Sequence, residues 1–130
     1  MASTHKFTIL FIGWLVLITS LSLFSFSTAG VDDWNLPHMD KLVHGIFHFM
    51  IMVLGILAWH ERYGQNGGWS KSLVLLFLFS LLYGLAIELL QFMLPTGRFA
   101  DVMDVLANVT GALLGILLIQ RGRSLINPSK

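Results

Sequence analysis

Four long apolar runs limit what this chain can fold into. The first, residues 7–26, contains no charged residue, and the other three are interrupted only by a few polar residues. A helix needs about 20 apolar residues to cross a bilayer, and in lipid its backbone must satisfy its own hydrogen bonds. None of the runs alternates with a period of two, as the strands of a membrane barrel do. We therefore predict an all-α membrane protein, a single domain over residues 1–130 with four transmembrane helices at about 7–26, 41–60, 71–94 and 101–120.

The small number of charged residues agrees with this class of protein. The 130 residues include 8 Lys and Arg and 7 Asp and Glu, which gives a formal net charge of +1. A soluble domain of this length would carry about 32 charged residues. The balance of charge excludes a nucleic-acid-binding protein that works through a basic face. The absence of cysteine excludes disulfides, thiolate metal sites and cysteine nucleophiles.

The positions of lysine and arginine predict the orientation of the bundle. Cytoplasmic loops of membrane proteins carry an excess of basic residues. If the N-terminus is cytoplasmic, six of the eight basic residues lie inside, namely Lys6, Arg62, Lys71, Arg121, Arg123 and Lys130. Lys41 and Arg98 then lie outside. We expect both termini to be cytoplasmic.

The first apolar run has a second interpretation. Lys6, the run itself and the small residues at 27–29 resemble a signal peptide with its cleavage site. Signal peptides have apolar cores of about 7 to 15 residues, and this run is longer. We therefore expect the first helix to be retained. Cleavage would leave three spans and the same arrangement of the other loops.

Polar residues form one stripe on each of the last three helices, in the half that faces outward. At about 100° per residue, the members of each stripe share a narrow arc of the helix. The stripes are Lys41, His44 and His48 on the second helix, Gly84, Glu88 and Gln91 on the third, and Asp101, Asp104, Asn108, Gly111 and Gly115 on the fourth. At about 1.5 Å of rise per residue, they reach matching depths. Ionisable side chains that face lipid are costly, so we expect the stripes to converge inside the bundle or on a water-filled cleft.

Each of these residues also has a structural explanation. Asp40 and Asp101 stand where an acidic residue can cap a helix. Gln91 and Asn108 can form hydrogen bonds between helices. Glu88 lies too deep for a cap, so it either forms a buried ion pair or belongs to a functional site.

His44 and His48 lie four residues apart on one helix face, a spacing that suits a metal ion. With Glu88 or Asp104 they could complete a zinc-like set of ligands. The fuller His-Glu-x-x-His motif is absent, and basic residues lie nearby. The pattern therefore favours hydrogen-bonded histidines, and we expect no metal and no cofactor.

Three polar blocks follow one another on consecutive apolar helices. They are Asp40-Lys41-x-x-His44, Glu88-x-x-Gln91 and Arg98-x-x-Asp101-x-x-Asp104-x-x-x-Asn108-x-x-Gly111. In this order and spacing, residues 38–120 resemble the VanZ-like family of small bacterial membrane proteins, while the first helix and the basic tail are generic. The resemblance implies a multi-pass protein of the bacterial inner membrane with a role in the cell envelope. The family is named for a protein associated with resistance to teicoplanin, a lipid-tailed glycopeptide antibiotic.

The resemblance also implies a set of candidate binding residues, namely Asp40, Lys41, His44, Glu88, Gln91, Arg98, Asp104 and Asn108. We expect an outward-facing polar pocket, formed by the second, third and fourth helices, that binds an amphiphile. Its apolar tail would lie between helices and its head group would contact Lys41 and Arg98. One alternative is an enzyme that acts on a lipid-linked substrate, with His44 or Glu88 as general base. The others are proton or cation passage through Glu88 and the histidines, and a structural or regulatory membrane protein without a ligand. Membrane lipids are the expected partners.

Overall fold

Four long helices make up nearly all of the chain that the structure describes. The structure is a computed structural model, and it describes residues 4–23, 39–94 and 101–126. The helices are α1 (Lys6–Leu23), α2 (Met39–Tyr63), α3 (Trp69–Met93) and α4 (Val102–Ile126), and a 3₁₀ turn, Gly64–Gly67, follows α2. Each of the four is long and apolar enough to cross a membrane, and no strand occurs in the described ranges. The predicted all-α class with four spans is confirmed.

The fourth helix extends beyond its predicted end because polar residues continue it. The prediction ends this helix at residue 120, whereas α4 continues to Ile126. Arginine is a good helix former and is favourable near a helix C-terminus, so Arg121 and Arg123 extend α4 past the apolar run. Arg123 also stacks on Trp69, with its guanidinium carbon 4.3 Å from the ring centroid. The predicted end of the first helix, at 24–26, lies outside the described residues.

α2 is the central helix of the bundle. It contacts α1, α3 and α4, and its most extensive contact is with α4. In the described residues, α1 contacts α2 and α3 but does not touch α4. Successive helices run in opposite directions, so α2 and α4 begin at one end of the bundle, which we name the Lys41 end. α1 begins at the opposite end beside the last turn of α2, and we name this the Glu61 end.

Polar contacts fasten α1 to α2. At the Glu61 end, the Glu61 carboxylate accepts hydrogen bonds from the backbone N–H groups of Phe7 at 3.2 Å and Thr8 at 2.9 Å. The first N–H groups of a helix have no partner within that helix, so Glu61 caps α1 from another helix. Halfway along α1, the indole N–H of Trp14 donates to the carbonyl of Phe47 at 3.1 Å. These bonds fix both the position and the rotation of α1 on α2.

The contact between α2 and α4 is a seam in which the two backbones touch. A Cβ added to Gly111 would lie 2.7 Å from the carbonyl carbon of Gly45 and 2.8 Å from its Cα. One turn along α4, a Cβ on Gly115 would lie 2.8 Å from the carbonyl oxygen of Phe49 and from the Cβ of Met52. Small residues four apart permit such an approach between membrane helices, whose association depends on close packing. The two glycines of α4 therefore set the distance between α2 and α4.

An apolar core fills the half of the bundle nearer the Glu61 end. Its buried members are Met52, Ile56, Leu73, Leu76 and Ala112. Large apolar side chains such as Leu82 and Leu117 lie exposed on the outside of the helices, where lipid would cover them. Among the described residues, every buried ionisable or amide side chain lies in the Lys41 half. The buried ionisable and amide side chains of the described residues are therefore confined to one half of the bundle.

We predict that Gly111→Ala destabilises the protein, because the added methyl group would meet the backbone of α2, which cannot rotate aside as a side chain can. Overpacking of this kind costs about 1–3 kcal/mol. Gly122→Ala on the same helix is the control, since a Cβ there has no neighbour within 4 Å. Unfolding of the purified variants in detergent, followed by circular dichroism, measures both effects. Equal stability of the two variants would contradict the described seam.

Candidate functional site

Lys41 lies at the centre of an ion-pair cluster at the Lys41 end of the bundle. Its Nζ is 3.1 Å from Oδ2 of Asp101, 3.4 Å from Oδ2 of Asp40 and 3.5 Å from Oδ1 of Asp104. The Asp40 and Asp101 side chains are 51% and 43% exposed, whereas that of Asp104 is only 12% exposed. Three carboxylates and one ammonium give this cluster a formal charge of −3 + 1 = −2. Lys41 is therefore already compensated by carboxylates of its own chain.

Asp101 pairs with Lys41 and also caps α4. Its Oδ1 accepts a hydrogen bond from the N–H of Met103 at 2.9 Å, and its carbonyl accepts one from the N–H of Asp104 at 3.1 Å. These are the bonds of a helix N-cap. The N–H of Met103 and the ammonium of Lys41 both favour the charged carboxylate, so they hold the pKa of Asp101 below its usual value.

His44, Glu88 and Asp104 converge from three different helices. One imidazole nitrogen and one oxygen of each carboxylate lie within 4.8 Å of one another. Nε2 of His44 is 3.8 Å from Oδ2 of Asp104. Glu88 is only 6% exposed, so this triad lies inside the bundle. The polar stripes of α2, α3 and α4 thus meet between the helices.

One helical turn deeper, His48, Ser80 and Asn108 form a second buried layer. Nδ1 of His48 and Oγ of Ser80 share a hydrogen bond of 2.7 Å. The layer packs on Gly84, where an added Cβ would lie 2.7 Å from Nδ2 of Asn108 and 2.9 Å from Cε1 of His48. Within the described ranges, Oδ1 of Asn108 is buried and has no hydrogen-bond partner. Sequence analysis misses Ser80, although this residue extends the stripe of α3 by one turn beyond Gly84.

Gln91 lies on the stripe of α3 but is directed towards α1. Its Nε2 donates a hydrogen bond to the carbonyl of Ser22 at 2.7 Å. Its predicted depth in the membrane places Gln91 at the level of His44 and Asp104. The bond to Ser22 instead joins α3 to α1, because α1 packs on α3 at that level. Arg98, the remaining candidate, lies outside the described residues.

An apolar groove runs along the seam from the ion-pair cluster. It has a volume of about 480 Å³, and all of its lining residues belong to α2 and α4. Gly45 and Ala107 form part of its lining. Neither carries a large side chain, so the surface is recessed there between the larger residues around it. Lys41 lies in the lining as well, so the groove and the ion-pair cluster share this residue. No residue of α3 lines the groove.

The chain resembles one known family over nearly its whole length. Residues 4–125 match the family model described as VanZ/LLP1. The chain belongs to the VanZ/LLP1 family. The match includes α1 and the basic segment at the end of α4. The VanZ/LLP1 likeness therefore extends beyond residues 38–120, the range over which the polar blocks indicate it. No similar curated protein and no similar solved structure was found.

We predict that substitution separates the two roles of Asp101. Asp101→Asn keeps a side chain that can cap a helix but removes the charge that faces Lys41, whereas Asp101→Ala removes both. At pH 7 the midpoint of thermal unfolding in detergent should therefore decrease from wild type to the Asn variant and further to the Ala variant. Identical midpoints for the two variants would show that the cap does not stabilise α4.

The difference in stability between wild type and Asp101→Asn should depend on pH, and the lowered pKa of Asp101 gives the sign. The folded state lowers the pKa of Asp101, so its charge stabilises the fold above the ordinary pKa of aspartate. This stabilisation is lost as the pH falls through the lowered value. The difference between wild type and Asp101→Asn should thus begin to shrink as the pH falls below about 4, and it should disappear only once the pH is below the lowered pKa of Asp101. Melting curves over a pH series measure the difference, and a constant difference down to pH 3 would contradict the role given to the charge.

Proposed function

We propose that this VanZ/LLP1 protein binds an amphiphile in the outer leaflet of the bacterial inner membrane. The observation that carries the proposal is that Lys41 belongs both to the apolar groove and to the ion-pair cluster. An apolar chain in the groove would bring its head group to the charged residues of the Lys41 end. Ligand sites commonly have volumes of about 300–1,000 Å³, a range that includes the 480 Å³ of this groove.

The length of the groove supports a lipid chain as its occupant. On α2 the lining extends from Lys41 to Phe49, which is about 12 Å of helix, and on α4 from Met103 to Leu114, about 16 Å. Half of the hydrocarbon core of a bilayer is about 15 Å thick. The lining is apolar except for Lys41 and Thr110, and the Thr110 hydroxyl donates to a carbonyl of its own helix. A single acyl chain of one leaflet fits these properties.

The charges at the Lys41 end suit a head group that carries both signs. A purely anionic head group would meet a cluster whose formal charge is −2. The exposed carboxylates of Asp40 and Asp101 can accept hydrogen bonds from an amine or from hydroxyls, and Lys41 and Arg98 can bind a phosphate. A zwitterionic lipid such as phosphatidylethanolamine therefore fits the cluster better than an anionic one.

The family connects this proposal to the cell envelope. Teicoplanin has a lipid tail and a polar body, so it is an amphiphile of the kind that the groove and the cluster could hold together. Binding of the drug, or of the lipids among which it inserts, would give the protein a role in glycopeptide resistance. The proposal includes both termini on the cytoplasmic side and the Lys41 end outside, as the distribution of lysine and arginine favours.

We predict that Thr110→Trp blocks the groove and weakens lipid binding about tenfold, the effect of about 1.4 kcal/mol. Leu117→Trp is the control, because Leu117 is exposed on the same helix but does not line the groove. Native mass spectrometry of the delipidated protein, titrated with phosphatidylethanolamine or phosphatidylglycerol, measures binding. The ethanolamine lipid should bind more tightly, and Arg98→Ala should weaken it with folding intact.

Other results of this experiment would favour the alternatives. Equal lipid binding by the Thr110→Trp and Leu117→Trp variants would contradict the proposal that the lipid binds in the groove. Conversion of the bound lipid into a product would favour an enzyme with His44 or Glu88 as general base. Weak and unselective binding by every variant, together with loss of folding in the Arg98 variant, would favour a structural role.

We predict the orientation to be measurable by labelling, because the chain contains no cysteine of its own. Asn66→Cys lies in the turn after α2, and Val102→Cys lies at the first residue of α4. A membrane-impermeant maleimide should label Val102→Cys on intact cells and Asn66→Cys only after permeabilisation. The reverse pattern would place the Lys41 end in the cytoplasm and exclude an outer-leaflet site.

A further inference from the structure

We propose that His44, Glu88 and Asp104 form a binding site for a divalent transition-metal ion, with Zn²⁺ as the best-suited example. The three residues come from α2, α3 and α4, and one ligand atom of each lies within 4.8 Å of the other two. One imidazole and two carboxylates are ligands that Zn²⁺ accepts, usually with water in a remaining position. Helix bundles build metal sites in their interiors from such residues on facing helices.

The distance between His44 and Asp104 fits a shared cation better than a hydrogen bond. Nε2 of His44 is 3.8 Å from Oδ2 of Asp104, beyond the range of a hydrogen bond. Two ligands of one tetrahedral Zn²⁺, at bonds of about 2.1 Å, lie about 3.4 Å apart. The other oxygen of Asp104 faces Lys41 at 3.5 Å, so Oδ2 stays directed at the imidazole. Small side-chain movements would therefore bring both ligands onto one ion.

Charge also favours a cation at this position. Glu88 and Asp104 are both buried, and carboxylates in a low-dielectric interior require compensation. A divalent ion would add positive charge beside both carboxylates, of which Asp104 already has Lys41 as a cationic partner. The ligand set uses only one oxygen of each carboxylate. The other oxygen of Asp104 makes the contact with Lys41, so that contact does not compete for Oδ2.

Asn108 provides an independent observation beside the triad. It lies one helical turn beyond Asp104, is only 3% exposed, and its Oδ1 has no hydrogen-bond partner in the described part of the chain. A buried acceptor of this kind requires a donor. Water held on a metal ion is a donor that suits a polar interior.

The ligand set differs from the one that sequence spacing suggests. That spacing pairs His44 with His48, and no metal is expected there because the fuller His-Glu-x-x-His motif is absent and basic residues lie nearby. In the structure His48 instead shares a hydrogen bond with Ser80, one turn deeper. Its place beside His44 is taken by carboxylates from α3 and α4, which are distant in sequence.

The test uses the full-length protein, purified in detergent and treated with EDTA. Titration with Zn²⁺ alone, followed by calorimetry, should give one tight site per chain, and Mn²⁺ should bind the same site more weakly. His44→Gln and Glu88→Gln should each weaken Zn²⁺ binding at least tenfold. His60→Gln is the control, because His60 lies exposed at the other end of α2 and outside the triad. Thermal unfolding with and without Zn²⁺ should show stabilisation of wild type and control only.

Wild-type protein decides the outcome even if a variant fails to fold. Absence of a stoichiometric Zn²⁺ or Mn²⁺ site in wild type would overturn the proposal. Equal binding by wild type and a folded His44→Gln variant would also overturn it, because the ion would then lie elsewhere. The lipid titrations described above are done in EDTA, so failure of the metal site and failure of the lipid site are distinguishable.

Discussion

The direct contact between the backbones of α2 and α4 is the constraint on which the rest of this structure depends. Gly111 and Gly115 have no side chains that would keep α4 away from α2, so the two helices approach until Gly45 and Phe49 stop them. This approach brings the Asp101 and Asp104 carboxylates of α4 to the ammonium of Lys41 on α2. It also leaves the apolar groove on the outside of the seam. With larger residues at the seam, the groove and the ion pairs could not form as they do.

Burial of polar groups in a membrane bundle requires compensation, and the chain achieves it in layers. The layer at the Lys41 end pairs three carboxylates with Lys41, and the side chains of Asp40 and Asp101 in it are exposed. The deeper layers rely on contacts between helices, such as the bond between His48 and Ser80. Beyond them the core is apolar apart from Ser72, whose hydroxyl donates to the carbonyl of Trp69.

The helices of this protein can be predicted from its sequence, whereas the partners of single side chains cannot. The four spans follow from the length of the apolar runs, and the inward direction of the polar stripes follows from helical periodicity and the cost of charge in lipid. The partner of Gln91 on α1 does not follow, because the stripes give no information about which neighbour packs on a helix. His48 and Ser80 illustrate the same limit, since their bond depends on the relative depth of α2 and α3. The extension of α4 to Ile126 is not predicted either, because the prediction ends each helix where its apolar run ends.

The Glu61 carboxylate joins two segments of the chain that are far apart in sequence. It caps the first turn of α1, yet it lies 53 residues after Thr8, near the end of the next helix. When α1 enters the membrane, its first N–H groups have only water or lipid head groups as partners. The protein supplies their partner only after α2 has crossed the bilayer in the opposite direction. The first turn of α1 therefore has these backbone partners only within the hairpin that α1 forms with α2.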